Sequence, residues 1–257
     1  MPNPVVIVTG ASKGLGLAIA SILIQDLKAS VVSISRSRTY ELEVLAAAHP
    51  GSLDIVECSV TDEPAVTSAI ASVAAKFGRI DALVLNAGVV DPMGRIEAAD
   101  IKLDAWRAHF DINFFSLVTA LRAALPSLRQ SRGRAIFVSS GAAVGNIAGW
   151  GPYNASKAAM NSLTRTLAEE EKDIVALAVR PGKVDTSMQL ALRETGGSHM
   201  APSVYESFVR DHAEGNLLKP EDPGYVIAKL ALEAPASMSG GFVSWDSEQC
   251  KEYRRPS

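Results

Sequence analysis

Two cysteines, four histidines and 6% aromatic residues are all that this chain of 257 residues devotes to thiol, imidazole and ring chemistry. Cys58 and Cys250 are far apart in sequence and give no disulfide framework, so a reducing compartment is expected and the chain reads as cytoplasmic. The histidines show no metal-ligand spacing such as H-E-x-x-H, so no catalytic metal is expected. Lysines and arginines form no long run and the net charge is −3, which argues against nucleic acid or an anionic membrane as a partner. Arg254 and Arg255 read as a solvated tail. No apolar stretch approaches the roughly 18 residues that span a bilayer. Met1-Pro2-Asn3-Pro4 leads straight into Val5-Val6-Ile7-Val8, with no basic segment before a cleavable apolar one. A Pro/Gly/Ser linker and internal repeats are also missing, so residues 1–257 are expected to form one domain.

Short apolar runs alternate with segments of helical periodicity. Strands are expected at 4–9, 31–35, 53–57, 81–85, 134–139, 174–180 and 239–244. Most lack polar alternation, as strands covered on both faces do. Helices are expected near 14–28, 39–48, 62–76, 101–129, 153–171 and 221–233. Thr61-Asp62-Glu63-Pro64 has the residues of a helix start. The alternation predicts an α/β fold: a seven-stranded, mostly parallel, doubly wound sheet with helices on both faces. Residues 187–215, with Gly196-Gly197, His199 and Pro202, break the rhythm and are a candidate substrate lid.

The first strand runs into Thr9-Gly10-Ala11-Ser12-Lys13-Gly14-Leu15-Gly16 and then an apolar helix. Glycines at 10, 14 and 16 permit a sharp turn, a close backbone approach to a pyrophosphate, and a helix N-terminus aimed at it. A chain binding NAD would be expected to carry an acid about 20 residues on, to bond the adenosine ribose. Ser33-Ile34-Ser35-Arg36-Ser37-Arg38-Thr39 has none and places Arg36 at the strand end. Guanidinium suits a 2′-phosphate, and Lys13 stands within the glycine turn. The expected cofactor is therefore NADP(H); the bland alternative makes Lys13 and Arg36 surface cations, as Arg38 is expected to be. Asn86-Ala87-Gly88 follows the fourth strand, where an open sheet receives its ligand.

Tyr153-Asn154-Ala155-Ser156-Lys157 puts a phenol and an ammonium at i and i+4 of a helix. The fifth strand ends in Ser139-Ser140-Gly141, and a loop can bring the Ser140 hydroxyl beside the phenol, with Ser139 pointing the other way. Carbonyl reduction leaves negative charge on oxygen and needs a proton. A free phenol, with a pKa of roughly 10, is a poor donor near neutrality until a cation favours the phenolate. A serine hydroxyl can hold the substrate oxygen in place.

Together, TGASKGLG at 9–16, NAG at 86–88, Asn113, Ser140, Tyr153-x-x-x-Lys157 and Pro181-Gly182 resemble the classical branch of the short-chain dehydrogenase/reductase family, a Rossmann fold. The resemblance implies Tyr153 as acid/base and Lys157 as the group that bonds the nicotinamide ribose and lowers the phenol pKa. It implies Ser140 as the substrate-positioning residue and Asn113 as holder of a water that relays protons toward Lys157. Gly10, Ser12, Lys13, Gly14, Leu15, Gly16, Arg36, Val60, Asn86, Ala87 and Gly88 would line the dinucleotide site. Pro181, Gly182, Val184 and Thr186 match the stretch that contacts the carboxamide. Two departures are Ser59, a cofactor-site residue where many members carry an Asp toward the adenine amino group and whose hydroxyl would accept the same bond more weakly, and Val243-Ser244-Trp245-Asp246, without the common double glycine. Within the family the sequence looks most like sepiapterin and benzil reductases, which implies an α-dicarbonyl substrate.

Trp150 is expected either to wall the substrate pocket or to pack beside it. Met188, Tyr205 and Phe208 would cover an apolar substrate or anchor the lid, and His199 and His212 read as surface or lid residues. Phe114, Phe115, Leu117, Val118, Leu121 and Leu125 continue an apolar face through 101–129. Part of it is core; the rest suggests a helix-pairing interface and a homodimer or homotetramer. The leading expectation is an NADPH-dependent carbonyl reductase. The alternatives are an NADP-dependent alcohol or hydroxysteroid dehydrogenase and a non-catalytic NADPH-binding regulator.

Overall fold

A computed structural model describes residues 3–99 and 101–256. Seven strands, β1 (Val5–Thr9), β2 (Ser30–Ser35), β3 (Leu53–Glu57), β4 (Ala82–Leu85), β5 (Arg134–Val138), β6 (Val175–Arg180) and β7 (Phe242–Ser244), form one sheet in the order β3-β2-β1-β4-β5-β6-β7. Every pairing is parallel, which sharpens the mostly parallel sheet expected. Strand order reverses between β1 and β4, and at such a switch point the crossovers part and leave a crevice at the strands' carboxyl ends.

The continuous apolar runs follow from burial on both faces. On one face Val6 and Val8 pack with Ile19 and Leu23 of α1 (Gly14–Gln25) and with Val226 and Leu230 of the last long helix, Glu221–Glu233. On the other face Val5 and Ile7 pack with Ile70, Leu117, Leu121 and Met160. These come from three further helices: Glu63–Phe77, Ser116–Ser131 and Gly151–Glu170. In chain order Tyr40–Ala48 is α2 and Glu63–Phe77 is α3. Asp62 caps α3, accepting from the Ala65 N–H at 3.0 Å, as its sequence promised.

Two expectations need correction. The helix expected at 101–129 is three pieces: α4 (Leu103–Phe110), a π turn (Asp111–Phe115) and α5 (Ser116–Ser131). The buried residue of the π turn is the polar Asn113, and Phe115 is exposed, so no apolar pattern marks the widened coil in the sequence. Residues 187–215, expected to be irregular, form two helices after α6 (Gly151–Glu170): α7 (Ser187–Thr195) and α8 (Pro202–Ala213), leaving α9 as Glu221–Glu233. Packing against the site, described below, overrides the glycine pair. No helix among the described residues is long and apolar enough to cross a membrane.

Phe137 is fully buried at the centre of the sheet. Phe137→Ala is expected to cost about 3–5 kcal/mol of unfolding free energy, measured by urea denaturation; a loss under about 1 kcal/mol would mean that the core closes around the gap.

Candidate active site

The crevice holds a cavity of about 790 Å³ that runs from the glycine turn to the N-terminus of α6. Its first part is built by glycine and by Asn86. Gly10 has φ +69°, and a Cβ at Gly16 would stand 2.3 Å from the Gly10 carbonyl oxygen and 2.5 Å from Asn86 Nδ2. No side chain fits there. Asn86 Nδ2 donates to the carbonyls of Thr9 (3.0 Å) and Gly10 (3.2 Å). Thr9 Oγ1 accepts from the Asn86 and Ala87 amides at 3.0 and 3.1 Å. The two strand ends at the switch point are thereby tied together. Lys13 caps α1 without a side-chain acceptor, so first-turn N–H groups face the crevice, as an anion site requires.

Ser12, Lys13, Gly14 and Leu15 line this part, together with Arg36, Ser59, Val60, Ala87 and Gly88. Lys13 and Arg36 are both exposed and have no ion-pair partner among the described residues. Arg38, in contrast, faces Glu43 at 3.7 Å and does not line the cavity, in keeping with its expected role as a solvated side chain. Ser59 pairs with Thr61 at 2.8 Å on the rim. Across the crevice lie Pro181, Gly182, Val184 and Thr186. Thr186 comes so near Gly14 that a Cβ there would meet its methyl at 3.1 Å. These residues fit a nicotinamide dinucleotide: a backbone cradle for the pyrophosphate, with two exposed cations beside it.

The second part is set by how α6 meets β5. Lys157 Nζ donates to the Val138 carbonyl at 2.7 Å, and Ser139 Oγ donates to Asn161 Oδ1 at 2.7 Å. Residues 153, 157 and 161 are successive i+4 positions, so one helix face carries both the phenol and the two anchors. Ser139 points inward as alternation required, and Ser140 faces the cavity with Tyr153 and Lys157. The Lys157 ammonium lies 5.6 Å from the centre of the Tyr153 ring. Both side chains are buried, 4% and 7% exposed. Burial pushes the phenol pKa up, opposed only by the Ser140 hydroxyl beside it, and pushes Lys157 from 10.5 down to about 8.

Asn113 is fully buried in the π turn behind these residues. Its Oδ1 accepts from the Val89 amide at 2.8 Å, and its Nδ2 donates to the Val89 carbonyl at 2.7 Å. Gly88 lies between Asn113 and Lys157; a Cβ there would be 3.3 Å from Asn113 Oδ1 and 3.8 Å from Lys157 Nζ. All four residues expected to act chemically are thus brought to one corner.

Trp150 and Met188 line the remaining wall with Val90, Ile147, Leu192 and Phe208. Trp150 meets Tyr153 edge-on at 5.5 Å and Phe208 at 5.6 Å. Phe208 therefore lines the cavity, whereas Tyr205 is an anchor whose hydroxyl donates to the Arg193 carbonyl at 2.8 Å. Lys183 bonds Asp211 at 2.5 Å and lies over the Phe208 ring at 4.6 Å, holding α8 down. Gln189, Leu192 and His109 were not singled out by sequence. Gln189 is buried in the cavity wall with its carbonyl oxygen unpartnered, as is the Trp150 indole N–H. Helical spacing after Met188 could have pointed to Leu192; nothing local marked His109. Among the described residues no group of three metal-ligating side chains occurs.

Comparison with known proteins agrees with the fold. The model of the short chain dehydrogenase family matches residues 4–196. An uncharacterized oxidoreductase of Schizosaccharomyces pombe is 42% identical over 244 residues, covering 95% of this chain and 96% of its own. A benzil reductase ((S)-benzoin forming) of Saccharomyces cerevisiae is 33% identical, covering 95% and 97%. The crystal structure of a Saccharomyces cerevisiae short chain dehydrogenase/reductase superposes with a TM-score of 0.94 at 34% identity, covering 98% of this chain and 100% of that one.

The Lys157 shift has a sign that can be checked. The folded chain binds this proton less tightly than the unfolded chain, so folding is penalised below about pH 8 and the penalty is relieved as pH rises toward 10.5. Stability of the wild type relative to Lys157→Met is expected to climb by about 3 kcal/mol across that window. Urea denaturation of both proteins at a series of pH values measures it. Parallel curves would mean that Lys157 is not desolvated.

Proposed function

The chain belongs to the short-chain dehydrogenase family, and from that premise we propose that it is an NADPH-dependent carbonyl reductase acting on small or medium apolar ketones, α-dicarbonyls above all. The observation that carries this reading is the meeting of Ser140, Tyr153 and Lys157 on the wall of a cavity that continues to the glycine turn.

NADPH, when bound, supplies the hydride. Lys13 and Arg36 hold the 2′-phosphate, and the α1 N-terminus with Gly10, Gly14 and Gly16 holds the pyrophosphate. Ser140 fixes the substrate oxygen, and Tyr153 gives it a proton. The raised phenol pKa keeps that proton in place at neutral pH, which suits the direction of reduction. Loss of the proton leaves a phenolate near the Lys157 ammonium. Burial penalises either charge alone, but opposite charges in one dry corner offset each other. Asn113 supports the return of a proton to this corner through Lys157.

The apolar wall around Trp150, Met188, Leu192 and Phe208 suits a hydrophobic substrate. One unpartnered polar atom there, the Trp150 N–H, is a donor that favours a substrate with a second oxygen near the reacting carbonyl. The benzil reductase relative points the same way. α7 and α8 act as the lid, and the chain works as a single catalytic domain. Leu103 and Phe115, 67% and 55% exposed beside Trp106 and Phe110, supply a homodimer or homotetramer face. Two free thiols accord with cytoplasmic residence.

With benzil as substrate, Tyr153→Phe is expected to lower kcat by about 10²–10⁴-fold while leaving the KM for NADPH nearly unchanged; undiminished turnover would remove Tyr153 from the chemistry. Arg36→Ala is expected to raise the KM for NADPH by about 10-fold or more and to spare NADH, since only the former carries the phosphate. Equal effects on both cofactors would contradict the assigned phosphate contact.

A further inference from the structure

His109, near the end of α4, is 1% exposed and lies behind the active site without lining its cavity. Its Nδ1 is 2.6 Å from the Asp91 carbonyl oxygen. A carbonyl only accepts, so Nδ1 carries the proton and, in a neutral ring, Nε2 must accept. Asn113 Nδ2 stands 2.9 Å from that Nε2.

Val89 sets which way the Asn113 carboxamide faces, and the tautomer matches it. The carboxamide oxygen faces the Val89 N–H, one amide hydrogen goes to the Val89 carbonyl and the other to the imidazole. Turning the carboxamide over would set N–H against N–H and oxygen against oxygen. Ser156 Oγ, also 3.0 Å from His109 Nε2, is 3.0 Å from the Tyr153 carbonyl. One ring therefore touches the segment after β4, the π turn, and the stretch of α6 between Tyr153 and Lys157.

We infer that His109 is a positioning residue: as a neutral, Nδ1-protonated imidazole it fixes the Asn113 carboxamide and locks the π turn against α6. A protonated ring would set Nε2–H against the Asn113 donor, leave Ser156 Oγ as its one acceptor, and break the bond to the π turn. The charged groups near it are Lys157 from α6 and Asp91 from the segment after β4; the Tyr153 ring meets it edge-on at 6.2 Å. Burial, aided by the Lys157 charge, holds its pKa below 6.5 against the opposing Asp91 contacts.

Two experiments test the inference, and only the second rests on the reductase reading. In ¹⁵N-histidine-labelled protein, with the signal assigned by its loss in His109→Gln, the ring is expected to be mainly neutral at pH 6.5 with its proton on Nδ1. An Nε2-protonated or mainly charged ring overturns the inference whatever the chain catalyses. With benzil and NADPH, His109→Leu is expected to lower kcat about tenfold, the worth of one buried hydrogen bond, with the KM for NADPH nearly unchanged. The solvent isotope effect should rise, because proton delivery becomes slower. The same substitution made on Asn113→Ala should cost nothing more, since the partner is gone, and His109→Gln, which can still accept, should restore part of the rate. An equal loss in both backgrounds, or an unchanged kcat, overturns the inference. If His109→Leu does not fold, His109→Gln in the two backgrounds decides by the same comparison. If the wild type oxidises no NADPH with benzil, the reductase reading fails and the tautomer measurement still decides this one.

Discussion

Lys157 is held in a buried corner by the carbonyl of Val138, the last residue of β5. A carbonyl at a strand end is a fixed acceptor, and an ammonium bonded to it cannot relax toward water. The phenol of Tyr153 begins one helical turn earlier, so the same bond that anchors α6 to the sheet also sets the distance between phenol and cation. Ser139 to Asn161 repeats the anchor one turn later. The chemistry of the site depends on this stapling: a shift of α6 along β5 would separate the phenol from Ser140 and the cation from Gly88 together.

Burial gives that corner its character. Each ionisable group in it is pushed toward its neutral form, the phenol upward and the ammonium downward. Neither shift alone makes a proton donor. In the reading proposed above the two groups act as a coupled pair, in which a proton lost from the phenol is compensated by keeping the proton on Lys157. The switch point of the sheet brings this pair to the same crevice as the glycine turn. Fold topology and proton chemistry are joined at β1, β4 and β5.

Much of this was legible in the sequence. Strands buried on both faces announce themselves as unbroken apolar runs, and Val5-Val6-Ile7-Val8 divides alternately between the two cores. The Tyr153–Lys157 spacing by itself puts both side chains on one helical face. The π turn at Asp111–Phe115 was not legible, because it buries the polar Asn113 and exposes Phe115, and the gain in turn width leaves no local mark. α7 and α8 were hidden for the opposite reason: glycine and polar residues signalled a loop, and distant contacts such as Trp150 with Phe208 and Lys183 with Asp211 overrode that signal. His109 lies 47 residues from Ser156, a separation at which no sequence pattern speaks.

The coupling of phenol and ammonium is tested most directly by following the ζ-carbon of ¹³C-labelled Tyr153 against pH in the NADP⁺ complex, in the wild type and in Lys157→Met. The proposed coupling requires a forming phenolate to keep the Lys157 proton in place, so the phenolate should come in at least about one pH unit earlier in the wild type. The same midpoint in both proteins would contradict the account.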